Sequence, residues 1–340
     1  MSLSFFPLED LPNEILLIVF TFFDIKGVLQ CGQVSKRLRK ISNDKRLWLK
    51  LNLFGKEVPY GFIEKAIQNG CEYLNLSWSH VHGGEESEMP WKLKYLEISK
   101  YGDLPEVLKN CHSLQKLAMD FLELDSDAIE QICQNGETLR VLSLGWCSID
   151  NYQRTESIQK LLTKCHKLTE LNISKSDNFV NLLEPDVRAL VDNLTPNILK
   201  LDLSSQGCVT DKHVNTLVQR CTKIIELDLS FTEITNDSMD SIIGHLKSLE
   251  KLSVVFTNID FSTLLQLKSI PTLKILRWFG HPEEIKNLKI QLPHISINEE
   301  YLYIAVPTKK VKDPIDLDWF WEIKAKQQTL FPKAHYMDFF

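Results

Sequence analysis

No stretch of this 340-residue chain is apolar for long enough to cross a bilayer, which takes about 20 residues. The longest apolar run, Ile15 to Phe23, is interrupted by Thr21 and closed by Asp24. A secretory signal would carry Lys or Arg just before it, and Glu9 and Asp10 stand there instead. A soluble chain without a membrane partner is the expectation. Glycine and proline are scarce, 13 of each, so low complexity and disorder are not indicated. A basic excess is also missing: net charge is −6, with a local +3 confined to residues 1–52. That excludes a general pull toward nucleic acid. The one basic run, Ser35 to Arg46, reads as the wet face of a helix with Leu38 and Ile41 turned inward. Residues 308–312 are too short for a nuclear signal, so cytoplasm and nucleus both stay open. The eight cysteines stand singly, with no Cys-x-x-Cys and no tight Cys/His group, which argues against zinc and against a disulfide framework. His80 and His82 have no evident third ligand and are expected in a solvated loop. Without a Ser/His/Asp, Cys/His or paired-carboxylate motif, or a glycine-rich phosphate loop, neither an enzyme nor a cofactor or metal is expected.

What the chain does have is a repeat. The pattern L-x-x-L-x-L occurs from residue 71 to 297: CEYLNL, LKYLEI, LQKLAM, LRVLSL, LTELNI, ILKLDL, IIELDL, LEKLSV, LKILRW and the weaker LPHISI. Ten copies start 19 to 30 residues apart. Each L-x-L alternates as a short strand does. A turn and a helical stretch follow, with apolar residues three and four apart, as in Met239, Ile242, Ile243 and Leu246. One such unit cannot bury its own apolar face, but stacked units can. The pattern resembles the leucine-rich repeat, which implies an α/β solenoid shaped as a horseshoe. Cys111, Cys165 and Cys221 each stand three residues before a strand's first apolar position, as in the cysteine-containing subclass, and are read as packing.

The opening segment poses a different question. Pro12 suits a first helical position, Glu14 its first turn, and Asp24, Ser35 and Asp44 can cap three further helices. The first helix carries Ile15, Leu16, Leu17, Ile18, Val19, Phe20, Phe22 and Phe23 round its whole circumference. A helix apolar on every side is buried on every side, and a unit this small cannot supply that burial. Either it caps the solenoid, or one face meets another protein.

The residues LPNEILLIVFTFFDIKGVLQCGQVSKRLRKISNDKRLWLKL resemble an F-box: LPxE and a following Leu at the start, V-x-K-R at 34–37, and Leu47-Trp48 at the close. The segments at 267–280, 292–298, 304–307 and 321–324 resemble the S-phase kinase-associated subgroup of F-box proteins with leucine-rich repeats. The resemblance implies a small all-α F-box over residues 5–52, a solenoid of about ten repeats over 53–298, and a tail over 299–340 that folds back over the concave face. It implies the substrate-recognition subunit of a Skp–cullin–F-box ubiquitin ligase. Such a subunit does no bond chemistry. It holds a protein substrate, with or without a phosphate, for ubiquitination and proteasomal degradation. The implied partners are the Skp adaptor and, through it, the cullin–RING ligase. Leu11, Pro12, Ile15, Leu16, Ile18, Val19 and Trp48 are the expected adaptor face. The alternative is a stand-alone leucine-rich-repeat binding scaffold with residues 1–52 as its cap.

The second residue after each strand's last apolar position forms a column: Trp78, Lys100, Phe121, Trp146, Lys175, Ser205, Phe231 and Phe256. Aromatics dominate interface hot spots, so the five rings are the expected substrate stripe, joined by Tyr301 and Tyr303 of the tail. The subgroup also implies a small kinase-binding accessory subunit, gripped by Trp, Asp and Arg on late concave strands. Here those positions fall at Lys175, Gln206 or Gly207, Phe231 and Phe256, with Glu300 where His is expected. Grease in place of charge makes that subunit a doubtful partner.

Overall fold

The computed structural model describes residues 11–83, 90–99, 104–149, 153–174 and 182–298. The tail from 299, with Tyr301 and Tyr303, lies outside them, as do Lys100 and Lys175. Within them the chain forms a four-helix unit followed by one curved sheet with helices on its outer side.

The four helices are α1 (Asn13–Phe20), α2 (Ile25–Val34), α3 (Lys36–Ser42) and α4 (Lys45–Trp48). Pro12 sits just ahead of α1 as its cap residue rather than inside it. The other three starts are capped as the sequence suggests. Asp24 accepts from the Gly27 N–H at 2.8 Å, Ser35 from Leu38 at 3.2 Å, and Asp44 from Arg46 at 3.0 Å. Leu16, Leu17, Phe20, Val28, Leu38 and Ile41 form a small core of their own. Arg37 of the V-x-K-R segment reaches back to the chain's opening motif, donating from Nε to Asn13 Oδ1 at 2.9 Å and from Nη2 to the Leu11 carbonyl.

Eleven parallel strands follow in strict chain order. They are Lys50–Asn52, Tyr73–Asn75, Tyr95–Glu97, Lys116–Ala118, Val141–Ser143, Glu170–Asn172, Lys200–Asp202, Glu226–Asp228, Lys251–Val254, Ile275–Trp278 and Ser296–Ile297. Their register aligns Leu51, Leu74, Leu96, Leu117, Leu142, Leu171, Leu201, Leu227, Leu252 and Leu276 in one column, all buried. Alternation sends the residues before and after each leucine to the concave side. Cys111, Cys165 and Cys221 are wholly buried between repeats, and burial pushes the first two thiols up to about 12 and the third to about 11. Those are packing thiols, not nucleophiles.

Two elements depart from the sequence reading. The first strand, Lys50–Asn52, precedes the ten repeats and grows directly out of the helical unit. His80–His82, expected as a loop, is a short strand paired with Glu57–Pro59. A two-residue pairing, Glu123–Leu124 with Ser148–Ile149, recurs two repeats later.

Candidate protein-binding surfaces

The first surface is the outer side of the helical unit. Helix α1 is divided by burial. Leu16, Leu17 and Phe20 point inward, while Ile15 and Ile18, and Phe22 and Phe23 in the turn after the helix, face solvent. Ile18 is 55% exposed and Phe22 83%, too much apolar area for a helix serving only as packing. Leu11 and Val19 are half-buried at the margin, and Pro12 is exposed. Two residues expected on this face are elsewhere. Leu16 is fully buried inside the unit, because it faces α3 rather than solvent. Trp48 is fully buried in the solenoid core, packed 5.9 Å from the Phe62 ring, and its Nε1–H donates to the Ser42 carbonyl at 2.6 Å. Both are internal packing in this structure, not part of the exposed face. Phe22 and Phe23, passed over in the sequence, take their place on the exposed face.

The second surface is the concave sheet. Part of its floor pairs its own charges. Lys200 lies 3.2 Å from Glu226, which also reaches Lys251 at 3.5 Å on the other side. Nearer the N-terminal end, Tyr73 and Tyr95 stack at 4.3 Å, with the Lys50 ammonium 4.9 Å from one ring and the Lys116 ammonium 5.3 Å from the other. Burial pushes Lys116 below its ordinary value. The Glu226 pairs leave little net field for a partner to read there.

The third surface is the lip where each strand turns outward. The aromatic column is there, and it has an unusual backbone. Trp78, Phe121, Trp146, Ser205, Phe231 and Phe256 all have φ between +52° and +65°. The reason is repetitive. Asn75, Asp202 and Asp228 each accept from the N–H two residues on, closing the turn. The next N–H, that of Trp78, Ser205 or Phe231, then bonds the carbonyl of the neighbouring turn at 2.8–2.9 Å. Left-handed backbone costs about 1–2 kcal/mol at a residue with a side chain, and it is a true outlier for a bulky one. Five of these six positions nevertheless carry a ring. The rings form two groups. Trp78 meets Phe121 edge-on at 6.4 Å, and Phe121 lies 5.0 Å from Trp146. Phe231 lies 4.9 Å from Phe256, which stacks on Phe279 at 4.3 Å. Phe279, 57% exposed, was not in the sequence column: its strand runs to Trp278, so counting on from there lands on Gly280.

These rings are separable from the fold. Phe256→Gly relieves the strained turn, and gives back about as much through a looser unfolded chain and a lost half-exposed ring. The net change expected is within about 1 kcal/mol, whereas Leu252→Ala, in the same repeat's core, costs about 2–5 kcal/mol. Urea midpoints of the two variants make the comparison. Equal losses would mean that the ring is structural.

Glu97 is the oddity of the floor. It is buried between Asn75 and Ala118 on the neighbouring strands, and burial, then the charge of Asp120, pushes its carboxyl up to about 8. The fold therefore favours the protonated acid. That favourable contribution is complete below the ordinary carboxylate range and is lost as pH rises through 8. Glu97→Gln should thus stabilise the chain by about 2 kcal/mol or more at about pH 9, and by little at about pH 5. Denaturant titrations at both pH values measure it, and an equal effect at the two would contradict the assignment.

Known proteins share this arrangement. Residues 61–328 match the family described as "SKP2 LRR domain", and residues 8–53 match "F-box-like". The chain is similar to F-box/LRR-repeat protein 12 of Homo sapiens, 20% identical over 309 residues, 86% of this chain and 87% of that protein. It is 31% identical to F-box only protein 25 of Homo sapiens over 121 residues, 34% of this chain, and 26% identical to F-box only protein 15 of Bos taurus over 147 residues, 42% of this chain. The matched region spans 28% of the length of each of these two. A chain of the yeast Rad7 and Elc1 complex shares the fold, with a TM-score of 0.50 at 15% identity over 84% of this chain and 87% of that one. The chain belongs to the SKP2-type leucine-rich-repeat family, with an F-box-like domain ahead of its repeats.

Proposed function

We propose that this chain is the substrate-recognition subunit of a Skp–cullin–F-box ubiquitin ligase, binding the Skp adaptor through the outer face of α1 and a protein substrate along the lip and floor of the concave sheet. The observation that carries the reading is the divided first helix. One side of α1 is a packed core, and the other presents Ile15 and Ile18 to solvent, continued by Phe22 and Phe23 in the turn that follows the helix. Leu11, Pro12 and Val19 border that patch. An F-box in front of leucine-rich repeats is the arrangement of SCF substrate receptors, whose F-box engages the Skp adaptor. The subunit works by proximity: it holds substrate lysines near a charged conjugating enzyme and raises their effective concentration. The Lys200–Glu226–Lys251 pairing on the floor and the two ring groups favour a partner recognised by its apolar side chains more than by phosphate.

Co-expression with the Skp adaptor, followed by size-exclusion chromatography with light scattering, tests the reading. A one-to-one complex is expected. A well-behaved monomer that ignores the adaptor would leave the stand-alone scaffold in its place.

A further inference from the structure

The N-terminal end of the concave floor holds its lysines differently from the rest. Lys50, Tyr73, Tyr95 and Lys116 occupy one register position on four neighbouring strands. They form a single stack, with the two tyrosine rings 4.3 Å apart and an ammonium over each outer ring, at 4.9 Å for Lys50 and 5.3 Å for Lys116. A ring face attracts an ammonium and fixes its place, but cancels none of its charge. Further along the floor a carboxylate does cancel charge: Glu226 lies between Lys200 and Lys251. Among the described residues, neither Lys50 nor Lys116 makes an ion pair. Glu72, which precedes Tyr73, is held by Lys45 at 2.8 Å and by Lys94 at 2.7 Å. Glu170, the acid whose charge reaches Lys116, stands two strands on, and the charge of Lys200 works against it.

The stack is within reach of a partner. Lys50 is exposed, and Tyr73, Tyr95 and Lys116 are half-buried on the concave side. Its spacing decides what answers it. The two ammoniums close opposite ends of the stack, three strand steps apart, about 14 Å at the usual distance between strands. No single carboxylate or phosphate bridges that gap. In an extended segment, residues four apart share one side and stand about 13 Å from each other. Two acids at that interval meet the two lysines, and the residue midway between them comes over the tyrosine pair.

We propose that the Lys50–Tyr73–Tyr95–Lys116 stack binds an extended acidic segment of the protein held on the concave face, one with two Asp or Glu residues four positions apart. The proposal deepens the receptor reading and rests on it. It divides the recognition surface: carboxylates are read at the N-terminal end of the floor, apolar groups along the lip. Each carboxylate meets an ammonium already placed by a ring, so little side-chain freedom is left to lose on binding. At Lys116 it also offsets the desolvation that burial imposes on the cation.

The test uses the full chain bound to the Skp adaptor, so that complex formation reports separately on the receptor reading. The probes are fluorescein-labelled peptides at low salt, where screening is weak, with anisotropy as readout. Nona-glutamate is expected to bind, although the chain's net charge of −6 repels it as a whole. Lys50→Met and Lys116→Met, which keep an apolar stem without the ammonium, should each weaken it about threefold to fivefold, and together about tenfold or more. Lys268→Met removes the same charge from the helical segment Leu265–Ser269 on the outer side, and serves as the control. Lys50 is exposed, so its variant folds even if Lys116→Met does not. Two nona-serine peptides, each with two serines replaced by glutamate, test the spacing: the pair four apart should bind more tightly than the adjacent pair. The proposal is overturned if nona-glutamate does not bind, if Lys50→Met loses no more than Lys268→Met, or if the two serine peptides behave alike.

Discussion

Ile18→Asp is expected to abolish the complex with the Skp adaptor while leaving the chain folded. Ile18 is exposed on the outer face of α1, so in the free chain the new carboxylate meets water and stability shifts by about 0.5 kcal/mol or less. Inside an interface the same carboxylate would be buried without a partner. That costs about 3 kcal/mol or more, roughly a hundredfold in affinity. Leu16→Ala should show the opposite pattern. Leu16 is wholly inside the helical unit, so removing its side chain costs about 2–5 kcal/mol of stability, and adaptor binding weakens only as the unit loosens. Calorimetric titration with the adaptor, beside a thermal melt of each variant, separates the two. If Ile18→Asp binds normally, the exposed patch is not the adaptor face.

Trp48→Ala should be the most damaging single change in the first fifty residues. The indole is fully buried in the solenoid core beside the Phe62 ring, and truncating it costs about 3–5 kcal/mol. The Ser42 carbonyl also loses its donor, adding about 1 kcal/mol. Because Trp48 ends α4 while packing in the repeats, the loss should spread to both parts. Hydrogen exchange should quicken in α3 and in the strand Lys50–Asn52 together. A variant that kept its unfolding midpoint and lost only the adaptor would return Trp48 to the outer face, where the F-box resemblance had placed it.

Trp48 also shows where the sequence was legible and where it was not. Ten strands could be read from L-x-x-L-x-L because period two and a stacked leucine column leave few alternatives. The eleventh has the same pattern, W-L-K-L-N-L, with tryptophan in the first leucine's place. A motif boundary drawn at residue 52 hid it. The caps at Asp24, Ser35 and Asp44 were legible because a side-chain oxygen two or three residues before an N–H is local chemistry. The split of α1 was not, since its residues are alike and only the packing of α3 decides that Leu16 turns in and Ile18 out. The lip column was found by counting, but its left-handed backbone was not foreseeable. Aromatic residues argue against that conformation, and the ladder between repeats imposes it. Glu97 was invisible for a similar reason: its peculiarity lies in what Asn75, Ala118 and Asp120 fail to offer.

The joint at Trp48 makes the helical unit part of the solenoid's end wall. Ile25, Leu29 and Leu47 pack on the repeat core beside it, next to the outermost strand, Lys50–Asn52. Cutting the chain between residues 52 and 53 would therefore not release two tidy halves. It would strip one strand from an eleven-strand sheet and bare the backbone donors and acceptors of Tyr73–Asn75, an unguarded edge that templates other chains. The exposed α1 patch and the concave sheet are thus not modules on a string. The helical unit that carries the exposed α1 patch also keeps the sheet behind it from polymerising.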